Sequence, residues 1–282
     1  MGNIDRRILY LISFIVMAAP LFMNKGLPIA KNPRSLDVYN KIETLQQSDG
    51  KGLILFCANF SPDTKGESVP QATVLLKHML RSGKKFAIWT FNPTSAAGQE
   101  MVNNTAKQIA ANLREEGIIR EYGKDWVNLG FRAAGAPIVI GISKNIPGFF
   151  NTDAYGTPLA RLPVMSGVKT AHDLGLVIDV SPSGTYGVLI AAMTGKYDVP
   201  LALAPTSVMV PDTYPYLKSG QVIGELRGVL GAAEYEDLIG EHALGTREMT
   251  SIAALDAYII LLIIIGNIAY FRSRRTGGAH SS

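Results

Sequence analysis

Residues 174–193 read LGLVIDVSPSGTYGVLIAAM. The first seven form an apolar run that suits a strand covered on both faces. Ser181, Ser183, Gly184 and Thr185 then make a polar turn, and the rest continues as an apolar helix. A strand, a loop and a helix start in this order are the building unit of an α/β fold, and the loop is where such folds bind ligands.

Working outward, the same alternation recurs. Residues 51–58 are a continuous apolar run and predict a strand, preceded by a short helix over 35–46 with Leu36, Tyr39, Ile42 and Leu45 on one face. Ser68 and Gln71 have the spacing of a capping box, followed by Leu75, Leu76, Met79 and Leu80 on one helical face until Gly83. Residues 86–91 predict a second strand, and a helix over 98–116 turns Val102, Ile109 and Leu113 inward before stopping at Gly117. A third strand is expected over 137–142, reached through an irregular segment in which Trp126 is a packing residue, and a fifth over 200–204. Strands alternating with helices of this length predict a mainly parallel, Rossmann-like sheet flanked by helices.

Residues 145–167 are rich in Gly, Pro and aromatics and show no period, which predicts a long functional or interaction loop. The segment PDTYPYLKSGQ reads as extended. Residues 222–239 read as a helix in two pieces, with Glu234, Glu236 and Asp237 on its solvated face. No internal repeat is present, so residues 26–245 are expected to form one α/β domain.

Its two flanks are unlike it. Seventeen uncharged residues separate Arg7 from Lys25, and fifteen separate Asp256 from Arg272. Crossing a bilayer takes roughly 20 apolar residues, with about 17 as the lower limit. Residues 1–25 and 246–282 therefore predict one transmembrane helix at each end of the chain. A cleaved signal peptide is the alternative for the first, since Arg6, Arg7, Ala18 and Ala19 fit that pattern too. Arg6, Arg7, Arg272, Arg274 and Arg275 favour cytoplasmic termini and an extracytoplasmic domain, against the contrary pull of Lys25, Lys31 and Arg34.

Composition excludes more than it selects. The single Cys57 cannot form an intramolecular disulfide. The net charge of +4 owes much to arginines beside the apolar flanks, and no stretch interleaves basic and aromatic residues as a nucleic-acid surface would. Neither a GxGxxG nor a Walker A loop occurs, and metal-ligand spacing is absent, so no cofactor is expected.

Ligands of open parallel sheets lie beyond the carboxyl ends of the strands. Those ends offer Asn59, Ser61 and Asp63, then Thr90 and Asn92, then Ser143 and Asn145, then Asp179 with the Ser181 turn, then Thr206 and Ser207. His78, His172 and His242 are placed away from them, so a serine nucleophile would lack its base. Backbone amides of the turn, with the hydroxyls of Ser181, Ser183 and Thr185, could hold an anion, or the same groups could simply cap the helix. The turn resembles the strand-to-Ser-x-Ser-Gly loop of sugar-phosphate isomerase domains, a likeness confined to the turn, because the catalytic acids of those enzymes have no counterpart. The expectation is a membrane-anchored, non-enzymatic interaction domain, a scaffold or structural subunit that assembles with itself or with other membrane proteins. The alternative is an anionic small-molecule binding domain or a degenerate enzyme that uses the Ser181 to Thr185 turn at a helix start, with Asn59, Ser61, Asp63, Ser181, Ser183, Gly184 and Thr185 as its ligand-binding residues.

Overall fold

The computed structural model describes residues 5–23, 26, 30, 32–132 and 135–277. In chain order the elements are α1 (Arg6–Ala18), α2 (Pro33–Thr44), β1 (Leu53–Ala58), α3 (Lys65–Arg81), β2 (Phe86–Thr90), α4 (Ala96–Glu115), β3 (Trp126–Phe131), α5 (Ala136–Lys144), α6 (Ile146–Phe149), β4 (Leu174–Ser181), α7 (Tyr186–Leu189), α8 (Gly195–Tyr197), β5 (Leu201–Pro205), α9 (Val210–Lys218), β6 (Gly224–Glu225), α10 (Gly228–Leu238) and α11 (Leu244–Gly277). They fall into two compact units, Ile29–Glu241 and the two ends of the chain, Met1–Pro28 with His242–Ser282.

In the larger unit the six strands form one sheet in the order β3-β2-β1-β4-β5-β6, every pair parallel. That is the doubly wound order of Rossmann-type domains, and the direction of winding reverses between β1 and β4. Side chains alternate along the strands, so each face has its own core. Ile54, Phe56 and Ala58 of β1 pack with Leu75, Leu76 and Met79 of α3 and with Val102 and Ile109 of α4. Leu55 and Cys57 face Val139 and Ile142 of α5 and Leu189 of α7 on the other side. Each large aliphatic side chain removed from water in this way stabilises the fold by about 1.5–3 kcal/mol.

Several expectations need correcting. The third strand is not 137–142 but β3, WVNLGF, while APIVIGISK forms α5 with Pro137 in its first turn. A short apolar run has no period that separates strand from helix, and Pro fits a helix start better than a strand interior. Trp126 does pack, as expected, but from within β3. The PDTYPYLK segment is helical, since Pro211 sits in the first turn of α9 and only Pro215 interrupts its bonding. The capping box fails because α3 begins at Lys65, placing Ser68 inside it, and Gln71 instead donates to the carbonyls of Pro205 (2.8 Å) and Leu226 (2.7 Å). Residues 145–167 form no free loop, since Ile146, Phe150, Leu159 and Met165 cover the second face of the sheet.

The first helical piece expected in 222–239 is β6, whose Glu225 is buried and bonded to Arg34 (2.6 Å) and Thr213 (2.5 Å). Glu234 and Glu236 of α10 are buried and not solvated. Glu234 accepts from Ser35 (2.7 Å) and from Arg227 (2.9 Å), which is how its charge is tolerated inside. Asp237 is exposed as expected.

In the smaller unit, Leu244–Arg272 of α11 is long and apolar enough to cross a membrane, and its most apolar window has no buried residue. It is the one such helix among the described residues. The N-terminal run is shorter than expected: α1 covers 13 residues and continues as a four-residue 3-10 turn, Ala19–Phe22. The two helices lie antiparallel, Tyr258 meeting the carbonyl of Leu9 (3.3 Å) and Ser251 that of Met17. Lys25, Lys31 and the tail beyond 277 lie outside the described residues.

Candidate functional site at the switch point

The reversal of winding between β1 and β4 leaves a crevice at their carboxyl ends, the place where open α/β sheets bind ligands. The residue after β1 is Asn59, fully buried, and its backbone N–H extends the ladder to the carbonyl of Val180 (2.9 Å). Cys57 pairs with Asp179 in register, so the Asp179 carboxylate ends up beside the Asn59 amide. Asn59 Nδ2 donates to Asp179 Oδ1 (2.7 Å), while Asn59 Oδ1 accepts from the Thr90 hydroxyl (2.9 Å) and the Phe91 N–H (3.3 Å). From the other side the Thr185 hydroxyl donates to Asp179 Oδ2 (2.7 Å). The carboxylate of β4 thus takes one bond from the residue after β1 and one from the Ser181 turn, and Asn59 links it on to the end of β2.

Burial dominates the chemistry of that carboxylate. It pushes the Asp179 pKa up to about 6, against the opposing pull of the hydrogen bonds from Thr185 and Asn59. Cys57 is buried, and its thiol is pushed well up, chiefly by burial and then by the charge of Asp179. A buried thiol in that state is neither a nucleophile nor a metal ligand.

The remaining expected residues divide. Ser181 and Ser183 bind one another, Ser183 N–H donating to Ser181 Oγ (3.1 Å) with the two hydroxyls 3.1 Å apart. Thr185 does not cap the helix, because its hydroxyl is on Asp179. Gly184 is not required by the turn either: a Cβ there would meet nothing within 4 Å. Ser61 and Asp63 bond to each other on an exposed turn, and that bond lowers the Asp63 pKa. Among the described residues no hydrogen bond joins this pair to Asn59 and Asp179. Ser143 and Asn145 do not stand at a strand end at all. Ser143 donates to the carbonyl of Ile140 (2.8 Å), and Asn145 caps α6 by accepting from Gly148 N–H (3.0 Å).

Glu67 also stands at this end of the sheet, and sequence reasoning passed over it. It lies in the first turn of α3 and accepts from both the backbone N–H (2.7 Å) and the hydroxyl (2.5 Å) of Ser207 after β5. Gly228, at φ +52°, makes room for this contact, since a Cβ there would come within 2.1 Å of Ser207 Oγ and 2.4 Å of Glu67 Oε2. The signal available in the sequence was a carboxylate in the first turn of the helix after β1. In nucleotide-binding domains with this strand order that helix start receives phosphate. Here it carries the chain's own negative charge.

Elsewhere, His78 is buried in α3 between Tyr235 Oη (2.7 Å) and Glu43 Oε1 (2.7 Å), stacked on Tyr39. His172 stands before β4, edge-on to Tyr197. Neither approaches the Ser181 turn through any hydrogen bond. No group of three or more metal-ligating side chains occurs among the described residues.

Fold and site together define the class: a doubly wound, Rossmann-like α/β domain with a closed hydrogen-bonded cluster at its switch point and an apolar helix long enough to cross a membrane. Comparisons with protein-family models, with curated proteins and with solved structures find no match to the chain.

Proposed function

We infer that the protein is a membrane-anchored, non-enzymatic interaction domain that assembles with copies of itself as a structural or scaffold subunit. The observation that carries this reading is the closure of the switch point. The Asn59 side chain, both carboxylate oxygens of Asp179 and the Thr185 hydroxyl are hydrogen-bonded to one another or to neighbouring strands. A crevice so filled favours a domain that acts through its outer surface. Two carboxylates, Glu67 and Asp179, stand at the strand ends, which opposes the alternative of an anion held by Ser181, Ser183 and Thr185.

Two spans with both termini in the cytoplasm complete the reading. The antiparallel pairing of α1 with α11 and the exposure of Leu11, Phe14, Ile15 and Phe22 support a second pass, and the arginines beside the two apolar runs support the cytoplasmic side for the termini. Polar backbone atoms of a lone helix in lipid satisfy themselves, so α1 can lie against α11 in the bilayer without further partners.

Ser183→Asp tests the choice. On the interaction reading the variant assembles as the native chain does. Loss of binding of inorganic phosphate by this variant, when the native chain binds it, would place the function at the turn instead.

A further inference from the structure

Away from the switch point, the free edge of the sheet at β3 carries a cavity of about 660 Å3 between α4 and the segment leading into β3. It is an open groove, with Lys107, Ala111, Arg114 and Glu115 exposed along it, so a ligand seated there keeps one side in water. Its α4 wall is built by Lys107, Ala110, Ala111 and Arg114, spaced three, four and seven apart and therefore on one helical face. Its opposite wall holds Arg120 and the aromatic side chains of Tyr122 and Trp126.

Two features of these walls lack a counterpart inside the protein. The first is charge. Lys107 bonds only the Tyr155 hydroxyl (2.8 Å), and Arg120 bonds the carbonyls of Leu80 (2.6 Å), Ile119 (2.9 Å) and Arg81 (3.4 Å). Arg114 forms no ion pair among the described residues. Of the two carboxylates on the rim, Glu121 is engaged by Lys124 and is also stabilised by the charge of Arg114, so Glu115 and Glu121 together still leave the three cations in excess. The second is the indole N–H of Trp126. The residue is 2% exposed, and its Nε1 is buried without a hydrogen-bond partner in the described structure.

We propose that this cavity is a binding site for a small aromatic anion. Its phosphate or carboxylate lies between Lys107, Arg114 and Arg120, and its ring lies over Ala110 and Ala111 against Tyr122 and Trp126. Cations that bond only neutral oxygens suit the acid group, and the aromatic wall suits the ring. The site lies at the β3 edge of the sheet, away from the Ser181 turn at its middle, and does not depend on the interaction reading.

The chain contains two tryptophans, Trp89 in β2 and Trp126 at the cavity. The full chain labelled with 5-fluorotryptophan, in detergent, is titrated with phenyl phosphate and followed by fluorine NMR. The expected result is a saturable shift of the Trp126 signal with the Trp89 signal unmoved. Benzyl alcohol, which lacks the charge, and inorganic phosphate, which lacks the ring, each bind at least about tenfold more weakly. Lys107→Gln combined with Arg114→Gln, both at exposed positions, weakens phenyl phosphate by about tenfold or more while leaving the free spectrum in place. The proposal is overturned by the absence of a saturable Trp126 shift, by equal binding of either control, or by unchanged affinity in the double variant.

Discussion

Replacing Asp179 with Asn isolates the cost of keeping a carboxylate at the bottom of the crevice. Asn can take over both contacts, its carbonyl accepting from Asn59 Nδ2 and its amide donating to Thr185 Oγ1, so it stands in for the protonated acid. The native pKa of about 6 lies above the ordinary 3.8. A raised carboxyl pKa contributes stability that is fully present below the unfolded value and is lost as pH rises through the folded one. The pH window is therefore about 4 to 6, and at 1.36 kcal/mol per pH unit the loss by neutral pH is about 3 kcal/mol. Asp179→Asn escapes that loss, so at pH 7.5 the variant should melt roughly 6–12 °C higher than the native chain, at about 2–4 °C per kcal/mol for a unit of this size. Both tryptophans lie in the sheet, so thermal melts in detergent followed by their fluorescence report on this unit. The quantity to plot is the difference in stability between variant and native chain from pH 4 to 8. It should be near zero at pH 4 and level off above pH 6 in favour of the variant. A flat difference, or a variant that is less stable at pH 7.5, refutes the assignment of Asp179 as a buried acid held by Asn59 and Thr185.

Other perturbations follow from the same contacts. Gly228→Ala should destabilise the fold by more than about 1 kcal/mol through its overlap with Ser207 and Glu67, whereas Gly184→Ala should stay within about 0.5 kcal/mol, both read from urea denaturation. Glu234→Ala should cost about 3 kcal/mol by leaving the Arg227 guanidinium and the Ser35 hydroxyl without their acceptor. Burial lowers the His78 pKa below 6.5 despite the opposing Glu43, so its contribution is present above pH 6.5 and lost as pH falls. His78→Gln should reduce the acid-side slope of stability, and an unchanged slope would reject that role. For topology, Cys57 is buried and silent, so Asn151→Cys supplies an exposed thiol. A membrane-impermeant maleimide should label it in intact cells, and labelling only after lysis would reverse the proposed orientation.

The sequence made the inner strands legible for a physical reason. β1, β2, β4 and β5 are covered on both faces and therefore read as apolar runs. β3 stands at the sheet edge, and Asn128 and Gly130 break its run, while the more apolar APIVIGISK drew the strand assignment to what is a helix. α9 was hidden by its prolines. Glu234 was hidden because a sequence does not disclose that Arg227 and Ser35 will meet it. At the switch point, strand-end reasoning placed Asn59, Ser181, Ser183 and Thr185 near one another. It did not disclose that Asp179 would occupy Asn59 and Thr185, since that depends on the register of β1 against β4. Ser61 and Asp63 follow β1 in sequence but turn outward to bond each other.

The central claim concerns assembly, and native mass spectrometry of the full chain released from lipid nanodiscs tests it most directly. The account predicts a defined species at a multiple of the 30.4 kDa chain mass, retained in Ser183→Asp. A species at the mass of one chain alone would contradict it.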